Sequence, residues 1–238
     1  MNKDNRTPTT AGTTGSSRRE IDEFLARAST IAPAPAGGRG RLMFALDATM
    51  SRQPSWDKAC AIQGEMFTEA GKVGGLDMQL VYFRGFGECR ASKWISDGEK
   101  LGGLMSRIDC RGGRTQIGKV LVRALEETRK APVQALVYIG DAMEENVDIL
   151  CARAGELGLK RVPMFLFQER GDRAATSAFK EMARLTRGAH LSFDSSASAE
   201  LARLLKAVAV YAAGGHKALA DRSRGGDAGA RLLLDKLS

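Results

Sequence analysis

Short apolar segments alternate with segments of helical periodicity along most of the chain, and this alternation constrains the fold more than any other feature. Each apolar segment is continuous and rich in aliphatic and aromatic residues, which is typical of strands covered on both faces of a parallel sheet. The predicted strands are residues 41–47, 78–84, 134–141, 161–167 and 189–194. The predicted helices between and after them are residues 56–71, 115–130, 146–159, 174–188 and 198–215.

One further segment, residues 89–95, alternates polar and apolar side chains and follows closely on the strand at 78–84. This pattern predicts an antiparallel strand at an edge of the sheet. The predicted fold class is therefore α/β: a doubly wound, mostly parallel sheet with one antiparallel edge strand and helices on both faces.

The two ends of the chain differ in composition from the region between them. Residues 1–19 are rich in Thr, Ser, Gly and Asn and have almost nothing to bury, so they are predicted to be disordered. An amphipathic helix is predicted at 19–30, and a Pro/Gly linker at 31–41 separates it from the domain or leaves it on the outside. The predicted organisation is an N-terminal tail, one domain and a flexible or helical C-terminal tail, at residues 1–40, 41–214 and 215–238.

The sequence offers no membrane anchor and no export signal. No apolar run approaches the roughly 20 residues that a membrane-spanning helix needs. The first residues lack the apolar core of a signal peptide. A cytoplasmic protein without a membrane partner is the expectation.

Charge and metal-binding side chains exclude some functions. The net charge is +8, from 36 basic and 28 acidic residues, but the basic residues are scattered and form no basic-aromatic cluster, so a nucleic-acid partner is disfavoured. The four cysteines form no CxxC pair and there are only two histidines, so a Cys/His zinc site is also disfavoured.

Oxygen-bearing side chains gather where predicted strands end. Asp47 ends the first strand, and Thr49 and Ser51 follow it at alternate positions. Asp141 ends a second central strand, and Thr115 lies between a Gly-Gly turn and a long helix, where it is also a candidate N-cap. Phosphate-binding turns usually offer glycines, and the turn after Asp47 has none. Because ligand sites of doubly wound sheets lie at the carboxyl ends of the strands, these oxygens suit a hard cation or a nucleophilic aspartate.

These residues and their order resemble the von Willebrand factor A (VWA) domain family over about residues 41–213. Its metal-ion-dependent adhesion site (MIDAS) consists of D-x-S-x-S, a distant Thr before a helix, and an Asp ending a later strand. "DATMS" matches the first element with Thr49 in place of the first Ser, "GGRTQIG" supplies Thr115, and "VYIGDA" supplies Asp141. Ala142 follows that Asp where the family often has glycine.

The resemblance implies a function as well as a fold. Asp47, Thr49, Ser51, Thr115 and Asp141 would hold Mg²⁺ or Mn²⁺, the hydroxyls directly and the aspartates through water. A carboxylate from an Asp or Glu of a protein partner would fill the open position. The chain would then be a protein-docking module of the bacterial intracellular type and not an enzyme, and an AAA+ ATPase is a candidate partner.

The main alternative is a phosphotransferase or phosphatase of the haloacid-dehalogenase-like class, in which Asp47 would attack phosphorus with Mg²⁺ bound nearby. That class usually has an acid two residues after the nucleophile, where this chain has Thr49, which is a poor proton donor at neutral pH. It also places a Ser or Thr at the end of an apolar strand, whereas Thr115 follows a polar loop. A third interpretation is that both aspartates only cap helices.

Overall fold

The computed structural model describes residues 16–31, 38–54, 56, 60, 64, 67, 75–193, 198–214, 220 and 223–226. The helix predicted at 56–71 lies mostly outside these residues, as do the N-terminal tail to residue 15 and most of the C-terminal tail. The part of the chain that is described forms one sheet with helices on both faces.

The strands of this sheet are β1 (Gly40–Asp47), β2 (Leu76–Arg84), β3 (Glu88–Ala91), β4 (Ala135–Gly140), β5 (Met164–Glu169) and β6 (Ala189–Phe193). Their order across the sheet is β3-β2-β1-β4-β5-β6. Only β3 is antiparallel, and it pairs with β2 at one edge. The predicted fold class is confirmed.

The strand order places a crevice between β1 and β4. From β1 the chain builds outward through β2 to β3, and it then returns to β4 on the other side of β1 and builds outward to β6. The direction of winding therefore reverses between these two neighbouring strands. In open α/β sheets this is the point where the loops at the carboxyl ends diverge and a ligand can bind.

Alternate side chains of each strand enter two separate cores, as the period of a strand requires. In β1, Phe44 and Leu46 enter one core, while Met43 and Ala45 enter the other. The helices are α1 (Arg18–Ala28), α2 (Gly98–Met105), α3 (Ile117–Lys130), α4 (Val147–Leu159), α5 (Arg173–Thr186) and α6 (Ser198–Ala213). The first core is covered by α1, α2 and α6, and the second by α3, α4 and α5.

Helix α1 is part of the domain core, which corrects the prediction that it stands apart from the domain or lies on its outside. Phe24 is fully buried, and its ring lies 5.1 Å from the ring of Phe165 and 5.2 Å from that of Phe167. Ser17 caps the helix in a capping box with Glu20. The Pro/Gly segment suggested a boundary, but one buried aromatic side chain joins the helix to the sheet.

Two local features differ from the sequence analysis. Helix α2 was not predicted, because Gly102 and Gly103 interrupt its apolar pattern; Asp97 caps its first turn. The strand predicted at 161–167 begins only at Met164, because Arg161 has a φ of 59° and turns the chain at the end of α4. Among the described helices, none is both long and apolar enough to cross a bilayer.

Candidate metal-binding site

Asp47 and Asp141 lie side by side at the carboxyl edge of the sheet. Asp47 is the last residue of β1, and Asp141 directly follows β4. The two strands are parallel neighbours, with Leu46 paired to Ile139, so their ends meet at the switch point. Both aspartates are buried.

Two hydroxyl groups connect these carboxylates. The Thr49 backbone N–H donates to Asp47 Oδ1 at 2.8 Å, and the Thr49 Oγ1 lies 3.1 Å from the Ser51 Oγ. The Ser51 hydroxyl donates in turn to Asp141 Oδ1 at 3.1 Å. A single 3₁₀ turn, Met50–Arg52, turns Ser51 back toward the sheet. Hydrogen bonds therefore connect four of the five predicted site residues.

The Asp47 carboxylate is compensated only in part for its burial. Its side chain is fully buried, and its Oδ2 has no hydrogen-bond partner among the described residues. Burial raises the pKa of Asp47 to about 6; hydrogen bonds from Thr49 and the positive charge of Arg52 oppose this rise, and the negative charge of Asp141 adds to it. A buried carboxylate oxygen without a donor is a costly arrangement, and a bound cation would relieve it.

Thr115 reaches the same edge through a contact that the sequence did not suggest. Its hydroxyl oxygen accepts the Glu144 backbone N–H at 3.0 Å, and its own N–H donates to the Glu144 carboxylate at 3.1 Å. The prediction that Thr115 is an N-cap is wrong: Gln116 occupies the N-cap position of α3 and makes no side-chain cap. A hydroxyl oxygen that accepts one hydrogen bond keeps a lone pair for a cation.

Glu145 caps helix α3 from a different loop. Its carboxylate accepts the N–H groups of Ile117 at 2.5 Å and Gly118 at 2.8 Å, so it satisfies free donors of the first turn. Glu144 and Glu145 precede α4 in the sequence, where acidic side chains are usually solvated. Both instead fasten the loop after β4 to the loop that carries Thr115, because the carboxylates turn back toward α3.

The loop with Thr115 is also tied to the loop after β1. The Arg111 N–H donates to the Ala48 carbonyl at 3.0 Å, next to Thr49. Three loops are thereby held together at one sheet edge, and each carries predicted site residues. The described contacts thus bring all five residues to the same edge.

A buried ion pair beside the site was not predicted. Arg52 follows Ser51, is almost fully buried, and its Nη1 lies 2.6 Å from the Glu169 Oε2 at the end of β5. The pair anchors the 3₁₀ turn to a third central strand. An arginine after a polar turn is usually solvated, so periodicity alone could not reveal this one.

Tyr138 accounts for the glycine that precedes Asp141. A Cβ at Gly140 would lie 2.4 Å from the Tyr138 hydroxyl, so only glycine leaves room for this ring beneath the site. Tyr138 is fully buried, and burial raises its pKa well above its usual range, with the charges of Asp47 and Asp141 adding to the effect. The phenol therefore stays neutral next to the two carboxylates.

The donor set suits a hard cation. Two carboxylates and three hydroxyls are oxygen ligands of the kind that Mg²⁺ and Mn²⁺ prefer, and no nitrogen or sulfur ligand is among them. The described residues contain no group of three or more His, Cys, Asp and Glu placed to hold a metal ion. The proposed set is of another kind, because it contains only two such residues and three hydroxyls.

Comparison with known proteins gives a fold but no close relative. No protein-family model matches the chain, and no curated protein sequence matches it. Solved structures do match. A von Willebrand factor type A protein from Catenulispora acidiphila aligns with a TM-score of 0.60 and 14% identity over 74% of this chain and 43% of that protein.

Two further structures show the same similarity. The SpRpn10 VWA domain aligns with a TM-score of 0.53 and 15% identity over 71% of this chain and 93% of that domain. The human COPII-coat protein Sec24c aligns with a TM-score of 0.55 and 11% identity over 73% of this chain and 32% of that protein. At these identities the similarity concerns fold alone: the chain has the fold of a VWA domain.

Proposed function

We propose that this chain is a metal-dependent protein-docking module. Asp47, Thr49, Ser51, Thr115 and Asp141 hold Mg²⁺ or Mn²⁺ at the carboxyl edge of the sheet, as in a MIDAS. A protein partner contributes an Asp or Glu carboxylate to the same cation. The fold supports an interaction role, since the similar structures include a coat protein and the SpaC pilus adhesin from Lactobacillus rhamnosus GG.

The unpartnered Asp47 Oδ2 is the observation that carries the proposal. Asp47 is buried beside a second carboxylate, and the described residues bring no donor to this oxygen. A fold retains such an arrangement more readily where the group has a ligand to bind than where it only packs. The hydroxyls of Thr49 and Ser51 lie between the two carboxylates and complete an oxygen-lined position.

The proportion of hydroxyls to carboxylates explains why a partner acid would be captured. Hydroxyl ligands are neutral, so the carboxylates of Asp47 and Asp141 supply all of the negative charge in this ligand set. When bound, the cation supplies an electrophilic centre that attracts another carboxylate. The buried Arg52–Glu169 pair keeps the 3₁₀ turn in place, so the chain orients its own ligands before the metal binds.

The setting proposed for this module is cytoplasmic, with an AAA+ ATPase as a candidate partner and no catalysis by the domain itself. All three parts follow from the resemblance to intracellular VWA proteins. The partner would need an exposed acidic side chain that can reach the edge of the sheet.

The test has two stages and a matched control. Isothermal titration with Mg²⁺ or Mn²⁺ should show one site in the wild type and none in Asp47→Ala. Asp148→Ala removes an equal charge from an exposed position in the first turn of α4 and should bind normally. Affinity capture should then retain partner proteins with Mg²⁺ and release them with EDTA.

Two results would overturn the proposal. Undiminished metal binding by Asp47→Ala would place the cation elsewhere. Asp47-dependent hydrolysis of a simple phosphomonoester would favour the phosphotransfer alternative over docking.

A further inference from the structure

A second candidate site lies on the side of the domain that carries helix α3. An open groove of about 320 Å³ runs between the edge strand β3 and α3, with α4 contributing from below. Its volume is at the lower end of the range for small-molecule sites. Its floor is apolar, formed in part by Val81, Ala91 and Val122.

The polar lining of this groove is strongly basic. Arg90 comes from β3, Lys119 and Arg123 from α3, and Arg153 from α4, whereas Glu126 is the acidic residue of the lining. Like charges gathered in this way repel each other and destabilise the fold unless counter-charges are present. Among the described residues, Arg123 has counter-charges in Glu126 and Glu127, and Arg90 has one in Glu88, whereas Lys119 and Arg153 form no ion pair.

Two of these guanidinium groups have hydrogen-bonding capacity to spare. Arg153 is half-buried and makes no ion pair or hydrogen bond with any described residue. Its Nη1 lies over the first turn of α3, 2.5 Å from where a Cβ of Gly118 would stand. The Arg123 Nε is buried and has no acceptor among the described residues, although the same side chain pairs with Glu127 at 3.1 Å.

The nearby acid is already engaged. Glu145 lies close to Gly118, but its two oxygens accept the N–H groups of Ile117 and Gly118. The other two basic groups are anchored so that they hold their places: Lys119 donates to the Gly87 carbonyl at 2.9 Å, and Arg90 pairs with Glu88 at 2.8 Å. The groove is thus a preformed positive surface with unmatched donors.

We propose that this groove binds the phosphate group of a small phosphorylated ligand, independently of the metal site. The Arg153 guanidinium offers paired N–H donors to phosphate oxygens, and Arg123 adds positive charge from a second helix. Lys119 adds a point charge, and the apolar floor accommodates the rest of an organic phosphate. None of the five proposed metal ligands lines this groove.

The experiment uses the full chain in EDTA, so that phosphate cannot bind through a divalent cation. Inorganic pyrophosphate and ATP are titrated by calorimetry and by their effect on Tm, with citrate as an anion that lacks phosphate. Both phosphates should bind and raise the Tm, and citrate should have little effect. Binding of ATP without pyrophosphate would identify an organic phosphate as the ligand.

The matched variants are Arg153→Gln and Arg129→Gln. Arg153→Gln loses no ion pair among described residues, so it should keep the wild-type Tm without ligand while its Kd for phosphate rises about tenfold or more. Arg129 lies exposed in the last turn of α3, and Arg129→Gln removes the same charge outside the groove. It should bind as the wild type does.

Three results would overturn this inference: equal affinity in Arg153→Gln, an equal loss in Arg129→Gln, or citrate binding as tightly as pyrophosphate. Asp47→Ala should bind phosphate normally. Phosphate binding that requires a divalent cation and Asp47 would assign the effect to the metal site instead. The two proposals can therefore fail separately.

Discussion

Two buried carboxylates lie near opposite ends of strand β1, and they differ in their hydrogen-bond partners. Near its start, Arg41 meets Glu127 of α3 at 2.8 Å, and Glu127 is also contacted by Lys130 at 2.8 Å and by the Trp94 indole N–H at 2.7 Å. At its end, the fully buried Asp47 has one oxygen with no partner among the described residues. One carboxylate is surrounded by donors, whereas the other has a donor for one of its two oxygens only.

The pKa values separate these two groups. Burial acts to raise the pKa of Glu127, but hydrogen bonds from Lys130 and Trp94 and nearby positive charges outweigh it and lower the pKa. Burial raises the pKa of Asp47 to about 6, and the bonds from Thr49 do not compensate. A compensated buried acid indicates a structural role, whereas an uncompensated one at a sheet switch point indicates a site.

Replacement of Glu127 should have the largest effect on stability. Glu127→Gln leaves Arg41 mostly buried without its counter-charge, which should lower the free energy of unfolding by roughly 3–5 kcal/mol. Urea denaturation measures this. The neighbouring Glu126→Gln, on the exposed side of α3, should change it by less than about 1 kcal/mol. If both variants behave alike, the Glu127 cluster is not a structural anchor.

At the other end of β1, we expect a substitution to raise the free energy of unfolding. Asp47→Asn removes an uncompensated charge and should stabilise the metal-free protein at pH 7 by about 1–3 kcal/mol, since one pKa unit corresponds to about 1.4 kcal/mol. The same variant should lose the rise in Tm that Mg²⁺ gives the wild type. Destabilisation by Asp47→Asn in EDTA would show that Asp47 is compensated in the folded protein after all.

The pH dependence of stability should follow from the raised pKa of Asp47. Between about pH 4 and pH 6, the folded protein keeps the Asp47 proton while the unfolded chain, with the ordinary value of 3.8, releases it. Folding therefore binds a proton in this window, and this contribution to stability falls as the pH rises through it. It is absent in Asp47→Asn. Mg²⁺ must displace the proton below about pH 6, so its affinity should fall there by up to about tenfold per pH unit.

The fold was predictable because the sequence patterns that produce it are local and recur along the chain. Each buried strand is an apolar run, and each crossover helix has its own periodicity. The exceptions have particular physical causes. Phe24 joins the core from beyond a Pro/Gly segment, and α2 is obscured by two glycines.

The site was predictable only in part. Asp47, Thr49, Ser51 and Asp141 follow strand ends, so topology alone brings them together, and their binding of a metal stays a prediction. Arg52, Glu145 and Tyr138 act through contacts between loops and strands that are distant in sequence. No periodicity encodes such contacts, which is why their roles appear only in three dimensions.

The smallest expected effects concern Thr115, where loop anchoring and metal binding share one hydroxyl. Thr115→Val keeps the volume but leaves the Glu144 N–H without its acceptor in a partly buried contact, which should lower stability in EDTA by about 1 kcal/mol. Thr115→Ser keeps the hydroxyl and should match the wild type in both stability and metal affinity. If Thr115 also binds the metal, Thr115→Val should weaken Mg²⁺ binding more than Glu144→Ala, which removes the side-chain acceptor of the Thr115 N–H at the same loop contact. Equal weakening in these two variants would limit Thr115 to holding the loops together, because a ligand and a loop anchor differ only in that comparison.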